Sequence, residues 1–169
     1  NQCVILNSKS SFDLDTKQIS EAYIPIDNNE KQNYIDNVLS KRKYDFEDDK
    51  EPEINQILDL IPSCYSRYEK RRNELGFSSE MVIIIGLTKE KFLSISANGN
   101  GYQFIKKNEL DQFKKYVRIS LDNRLLMRIL SGPKNAHWNN AEIGSHLTFE
   151  RQPDNYERGL YYCLSYFHR

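Results

Sequence analysis

The amino-acid sequence predicts an α+β domain with a largely antiparallel sheet and helices segregated from the strands. Three observations carry that expectation. Apolar residues recur near the 3.6-residue helical period at Ile54, Ile57, Leu58, Ile61, Tyr65 and Tyr68, the mark of an amphipathic helix. The pattern then changes. Met81 to Leu87 is apolar and β-rich, Phe92 to Ser96 alternates partly, and Asn98-Gly99-Asn100-Gly101 leads into Tyr102–Ile105. Gly and Asn accept the positive φ of a tight hairpin turn, so this string predicts an antiparallel pair. Helical patterns return only afterwards. Local hairpins beside separate helices are the signature of α+β architecture.

Two regions are expected: residues 1–50 as an N-terminal arm or the remnant of a preceding domain, and residues 51–169 as the α+β domain. The first is rich in Asn, Asp, Ser and Lys. Cys3 to Leu6 reads as a short strand and Gln32 to Leu39 as a short helix. Asp45 to Glu53 is acidic, holds Pro52, and reads as a linker. Glu53 to Leu75 is then helical. Pro62 is expected to bend or interrupt it near Leu60, and Gly76 to stop it.

Tyr116 to Ser120 alternates as a further strand. Ser120 or Asp122 is placed to cap the next helix. That helix buries Leu121, Leu125, Ile129 and Leu130, carries Arg124 and Arg128 four apart on another side, and ends at Gly132-Pro133. Asn139 to Gly144 reads as one helical turn or a loop, and His146 to Glu150 as the last strand. Asp154-Asn155-Tyr156-Glu157 resembles a capping box. The helix after it is expected to bury Tyr156, Leu160, Cys163, Leu164 and Phe167.

Composition narrows the function classes. The 169 residues hold 24 basic and 24 acidic side chains, a net charge of zero. A nucleic-acid partner is therefore not expected, since it would call for a basic excess. Lys41-Arg42-Lys43 and Lys70-Arg71-Arg72 are the local basic strings. The three cysteines, Cys3, Cys64 and Cys163, have no paired or zinc-type spacing, which fits a reducing cytoplasm. The longest apolar run, Met81 to Leu87, is far shorter than the roughly 20 residues that span a bilayer, and no signal peptide is visible.

The densest chemistry lies in His137-Trp138-Asn139-Asn140-Ala141-Glu142-Ile143-Gly144-Ser145-His146, with the only Trp and two of the three His. His137, Glu142 and His146 are the metal candidates, because Glu142 and His146 would lie one helical turn apart. The structural alternative is a hydrogen-bonded knot around Trp138, and no metal is expected. Ser145 beside His146 lacks the Gly-x-Ser-x-Gly elbow of a hydrolase, and Cys163 falls on an apolar face where a thiol is ordinarily inert. No catalytic residue is assigned. Arg124, Arg128, Arg151 and Arg158 are candidates to converge on an anion or an interface, against pairing with Glu142, Glu150, Asp154 and Glu157. The ligand or interface candidates are thus these four arginines with His137, Trp138, Asn139, Asn140, Glu142 and His146.

The strings Leu125–Gly132, His137–His146 and Arg151–His168 resemble the C-terminal end of metallo-β-lactamase-fold hydrolases related to CMP-N-acetylneuraminate hydroxylase. The Leu125–Gly132 helix followed by a polar block ending in Gly144 also looks like the sterol-carrier type of lipid-binding domain. In the hydrolase group such a tail follows a metal-binding domain with a clustered His-x-His-x-Asp-His signature, which has no matching positions here. The resemblance implies an accessory, non-catalytic domain, with zinc or iron in a parent catalytic domain and none in this chain. Its partner would be that domain or a second copy. The chain, beginning at Asn1, then reads as a C-terminal piece or a relative without the catalytic part. Two alternatives remain: a module for an apolar or lipid ligand, implied by the sterol-carrier resemblance, and a small metal-dependent enzyme using His137, Glu142 and His146.

Overall fold

Apolar side chains spaced for one helical face and strands that alternate meet in a single core. The computed structural model describes residues 3–169. It divides into two compact units, Asn1–Tyr44 and Asp45–Arg169, so the break falls before the acidic run.

In the first unit, Asp27 caps helix α1 (Asn28–Asn37) by accepting from the amides of Asn29 and Glu30. No described side chain of this unit is buried. Cys3 to Leu6 takes no strand conformation, and one isolated bridge joins Phe12 to Ile19. Among the described residues of this unit no strand pairs with that apolar run and no core covers it.

The second unit is built on helix α2 (Ile54–Glu74), which buries Ile57, Ile61, Cys64 and Tyr68. Pro62 lies inside it without ending it. The expected interruption does not occur because residues on both sides of Pro62 bury onto the same layer. Full burial of each such side chain is worth about 1.5–3 kcal/mol, comparable in sum to a proline penalty of about 3 kcal/mol. Gly76 ends the helix at φ +60°. The Gly76 amide donates to the Asn73 carbonyl and the Phe77 amide to the Arg72 carbonyl, the paired bonds of a Schellman motif.

Strands β1 (Val82–Gly86), β2 (Lys91–Ser96), β3 (Tyr102–Lys106), β4 (Tyr116–Ser120) and β5 (Thr148–Gln152) form one sheet in the order β3-β2-β1-β4-β5. β2 pairs with β3 antiparallel, with Ile95 opposite Tyr102 and Phe92 opposite Ile105. Gly99 and Gly101 both take φ +92° in the turn. β1 and β4 are parallel, and the other pairings are antiparallel. The last strand lies two residues beyond its expected start at His146.

Ile83, Ile85, Leu93, Ile95, Val117 and Ile119 face the helices in the main core. There they meet α2, helix α3 (Asn123–Leu130) and helix α5 (Arg158–Leu164). Ile84, Ser94 and Ile105 alternate to the opposite side and are still buried. The link from β3 to β4 must cross β2 and β1. Its half-buried Leu110 and Phe113 are the apolar side chains available as cover. The architecture is therefore α+β, with a mixed, mostly antiparallel sheet and its helices packed on one side. No described helix is long and apolar enough to cross a membrane.

Candidate functional site

The His137–His146 block forms a short helix, α4 (Trp138–Ile143). It starts where a side chain other than the usual Ser or Asp supplies the cap: His137 Nδ1 accepts from the Asn139 amide at 3.2 Å. Trp138 and Ala141 point inward and are buried. The indole Nε1 donates to the Phe167 carbonyl at 2.8 Å. Nearby, the Arg169 amide donates to the Leu130 carbonyl at 2.8 Å, and the Cys64 thiol lies 3.6 Å from the same oxygen. The end of α3, the start of α4 and the segment after α5 are thus tied together around one Trp ring. His168 is buried there, and burial holds its pKa below the ordinary imidazole value.

The outer side of α4 is different. Asn139, Asn140, Gly144 and Ser145 are exposed. Ile143 is 83 % exposed, the highest value of any large hydrophobic among the described residues. In a hydrogen-bonded knot around Trp138, Asn139, Asn140 and Glu142 are expected to bond nearby backbone or the arginines; among the described residues their side chains make no such bond. At helical spacing Trp138 and Ala141 take the inner face, which turns the two amides outward, and Glu142 is only partly buried.

The metal candidates are not assembled. The His137 ring caps α4 and lies 6.4 Å from the His168 ring. The His146 ring packs edge-on against Phe46 at 5.7 Å. Among the described residues no group of three or more His, Cys, Asp or Glu side chains is arranged to hold a metal ion.

The four arginines do not converge. Arg124 grips Asp122 with two bonds, Nε to Oδ1 at 2.9 Å and Nη2 to Oδ2 at 2.7 Å, and donates to the Glu47 carbonyl at 2.7 Å. Arg128 grips Asp49 similarly, at 2.5 and 2.7 Å, and donates to the Asp45 carbonyl at 2.9 Å. Arg151 lies on β5, bonded to the Tyr161 hydroxyl and 3.3 Å from Asp154. Arg158 is exposed at the start of α5. Of the expected carboxylate partners only Asp154 is used by these arginines; Glu150 pairs with Arg118.

This arrangement makes the acidic run a docked segment rather than a free linker. Phe46 packs on the core and the Asp45–Asp48 turn sits against α3. Bonding to Arg128 holds the Asp49 carboxyl below its ordinary 3.8, and bonding to Arg124 does the same for Asp122. A lowered folded-state pKa contributes stability present above the unfolded value and lost as pH falls through the folded one. The Arg128 Nε–H, followed by NMR, is therefore expected to stay protected from solvent exchange until the pH falls below about 4. A release midpoint above that value, or one unchanged in Asp49→Asn, would contradict the pairing.

A second charged region gathers around part of the basic string Lys70-Arg71-Arg72. Ser63, Ser66, Arg67, Lys70, Arg71 and Glu74 of α2, with Tyr166, His168 and Arg169, line a surface groove. The spacing along α2 was visible in the sequence, but the residues facing it come from the far end of the chain. No family model matches this chain, and comparison with curated proteins and with solved structures finds no match.

Proposed function

We propose that Asp45–Arg169 is an accessory, non-catalytic domain that works by docking. Its partner in this reading is the catalytic domain of a metallo-β-lactamase-fold hydrolase-like protein, to which the resemblance of Leu125–Gly132, His137–His146 and Arg151–His168 points. Any zinc or iron would be held there. One observation carries the reading: α4 is fixed from inside by Trp138 and presents Asn139, Asn140 and the exposed Ile143 outward. A fixed backbone with one apolar residue ringed by amides is the composition of a small contact surface. Rigid presentation also lowers the ordering cost of association.

A module for an apolar ligand comes second. Ile57, Ile61, Tyr68, Leu93, Ile95 and Phe167, at the interface of sheet and helices, are each almost fully buried. A lipid tail entering there would have to displace them.

The docking reading expects a clustered His metal signature encoded in frame before Asn1 in the natural gene. It also expects Ile143→Asp to leave the melting temperature of the 169-residue chain unchanged while loosening the natural protein, seen as a larger radius of gyration in X-ray scattering. A dimer of the isolated chain lost in Ile143→Asp would assign the same surface to self-association. A natural gene without the signature, together with an unchanged radius and oligomeric state, would overturn the proposal.

A further inference from the structure

We propose that the groove between α2 and the segment after α5 binds a small molecule bearing a phosphate group. The groove is open to solvent and has a volume of about 540 Å³, within the usual range of ligand sites. Three of its cations, Arg67, Lys70 and Arg169, have no carboxylate within ion-pair distance among the described residues. Elsewhere in the unit Arg118, Arg124, Arg128 and Arg151 are paired, while Arg72 and Arg158 have no carboxylate partner among the described residues. In the 169-residue chain the terminal carboxylate of Arg169, beside His168 Nδ1 at 3.0 Å, offsets one of these charges, and the remaining local excess of positive charge is what an anion would neutralise.

The walls are already set. Arg71 bonds to the Tyr162 hydroxyl and to Glu74. Its guanidinium lies 5.0 Å from the Tyr162 ring centre and 4.8 Å from that of Tyr166. The segment carrying His168 and Arg169 is held by the Arg169 bond to Leu130 and the Trp138 bond to Phe167. A helix and a tied segment thus fix the backbone from which these donors reach the groove.

The donor set favours phosphate over carboxylate. Arg67, Lys70, Arg169 and the Ser66 hydroxyl offer more donors than two carboxylate oxygens can accept, whereas a phosphate monoester presents three terminal oxygens. Tyr166 supplies an aromatic face for the organic part. The pairing of Arg71 with Glu74 puts a carboxylate at the groove, which disfavours an extended polyanion. His168, whose charged form is disfavoured by burial and by the nearby Arg67 charge, serves as a neutral polar neighbour.

The test is an NMR titration of the ¹⁵N-labelled 169-residue chain at pH 7.5 and constant ionic strength. The probes are inorganic phosphate, phenyl phosphate, acetate and a short single-stranded oligonucleotide. Saturable shifts centred on Ser66, Lys70 and His168 are expected with both phosphates, tighter for the ester. Arg67→Gln with Lys70→Gln should weaken binding about tenfold or more with an unchanged melting temperature. The exposed pair Lys107→Gln with Lys114→Gln should bind like the parent. Absence of saturation, acetate binding as tightly as phosphate, equal loss in the control pair, or tighter oligonucleotide binding with shifts across other faces would each overturn the proposal.

Discussion

Trp138→Ala is expected to cost about 3–5 kcal/mol of folding stability, out of a total of about 5–15 kcal/mol for a domain of this kind. The indole is 3 % exposed and packs in the main core. Its removal leaves a cavity where α3, α4 and the segment after α5 meet. It also strips the Phe167 carbonyl of its donor, and an unmet buried acceptor costs about 1–3 kcal/mol. Trp138→Phe separates the two effects, keeping most of the ring and losing the bond. His137→Ala should cost far less, because it removes only a cap worth about 0.5–2 kcal/mol. Urea denaturation checks the series. A Trp138→Ala loss below about 1 kcal/mol, no more than a typical single substitution, would contradict the anchoring role.

Phe167→Ala is the second large effect, again about 3–5 kcal/mol. Phe167 is fully buried and meets the Tyr68 ring edge-on at 6.3 Å. The carbonyl that receives the indole bond stays in Phe167→Ala, but the Phe167 ring anchors the backbone carrying it, so the losses of the two side chains should be non-additive, with a coupling of about 0.5–3 kcal/mol in a double-mutant cycle. Tyr68 supplies the contrast. It is fully buried, and its hydroxyl has no hydrogen-bond partner among the described residues. Tyr68→Phe keeps the ring and removes an unmet polar group, so stability should stay the same or rise by about 1 kcal/mol. A loss above about 1 kcal/mol in Tyr68→Phe would show that the hydroxyl is bonded in solution.

What was legible in the sequence was local. The period through Ile57, Ile61 and Tyr68 marked α2, Gly76 its stop, Ser120 or Asp122 the cap of α3, which the structure resolves to Asp122, and Asn98–Gly101 the hairpin. Each depends on residues within a few positions of one another. The parallel pairing of β1 with β4 was not legible, because it joins strands separated by a hairpin and a crossover. Nor was the docking of the acidic run. Its partners Arg124 and Arg128 lie 77 and 79 residues away from the groups they bond, and charge composition alone reads as a solvated linker. Tyr156 was expected inside α5 and buried; it precedes the helix, is 57 % exposed and stacks on Tyr161. The polar block was found for the right residue, Trp138, while the outward turn of Asn139 and Asn140 followed only from the helix it begins.

The central claim is that α4 is fixed from within and docks from without. Hydrogen exchange, followed by mass spectrometry on peptides spanning Asn139–Ser145, tests it most directly, comparing the 169-residue chain alone with the same chain in the presence of the proposed catalytic domain. Docking predicts that these amides exchange about tenfold or more slowly with that domain present, corresponding to about 1.4 kcal/mol of added protection, and that Ile143→Asp abolishes the difference. Equal exchange in the two, with α4 as open beside the domain as alone, would contradict the account.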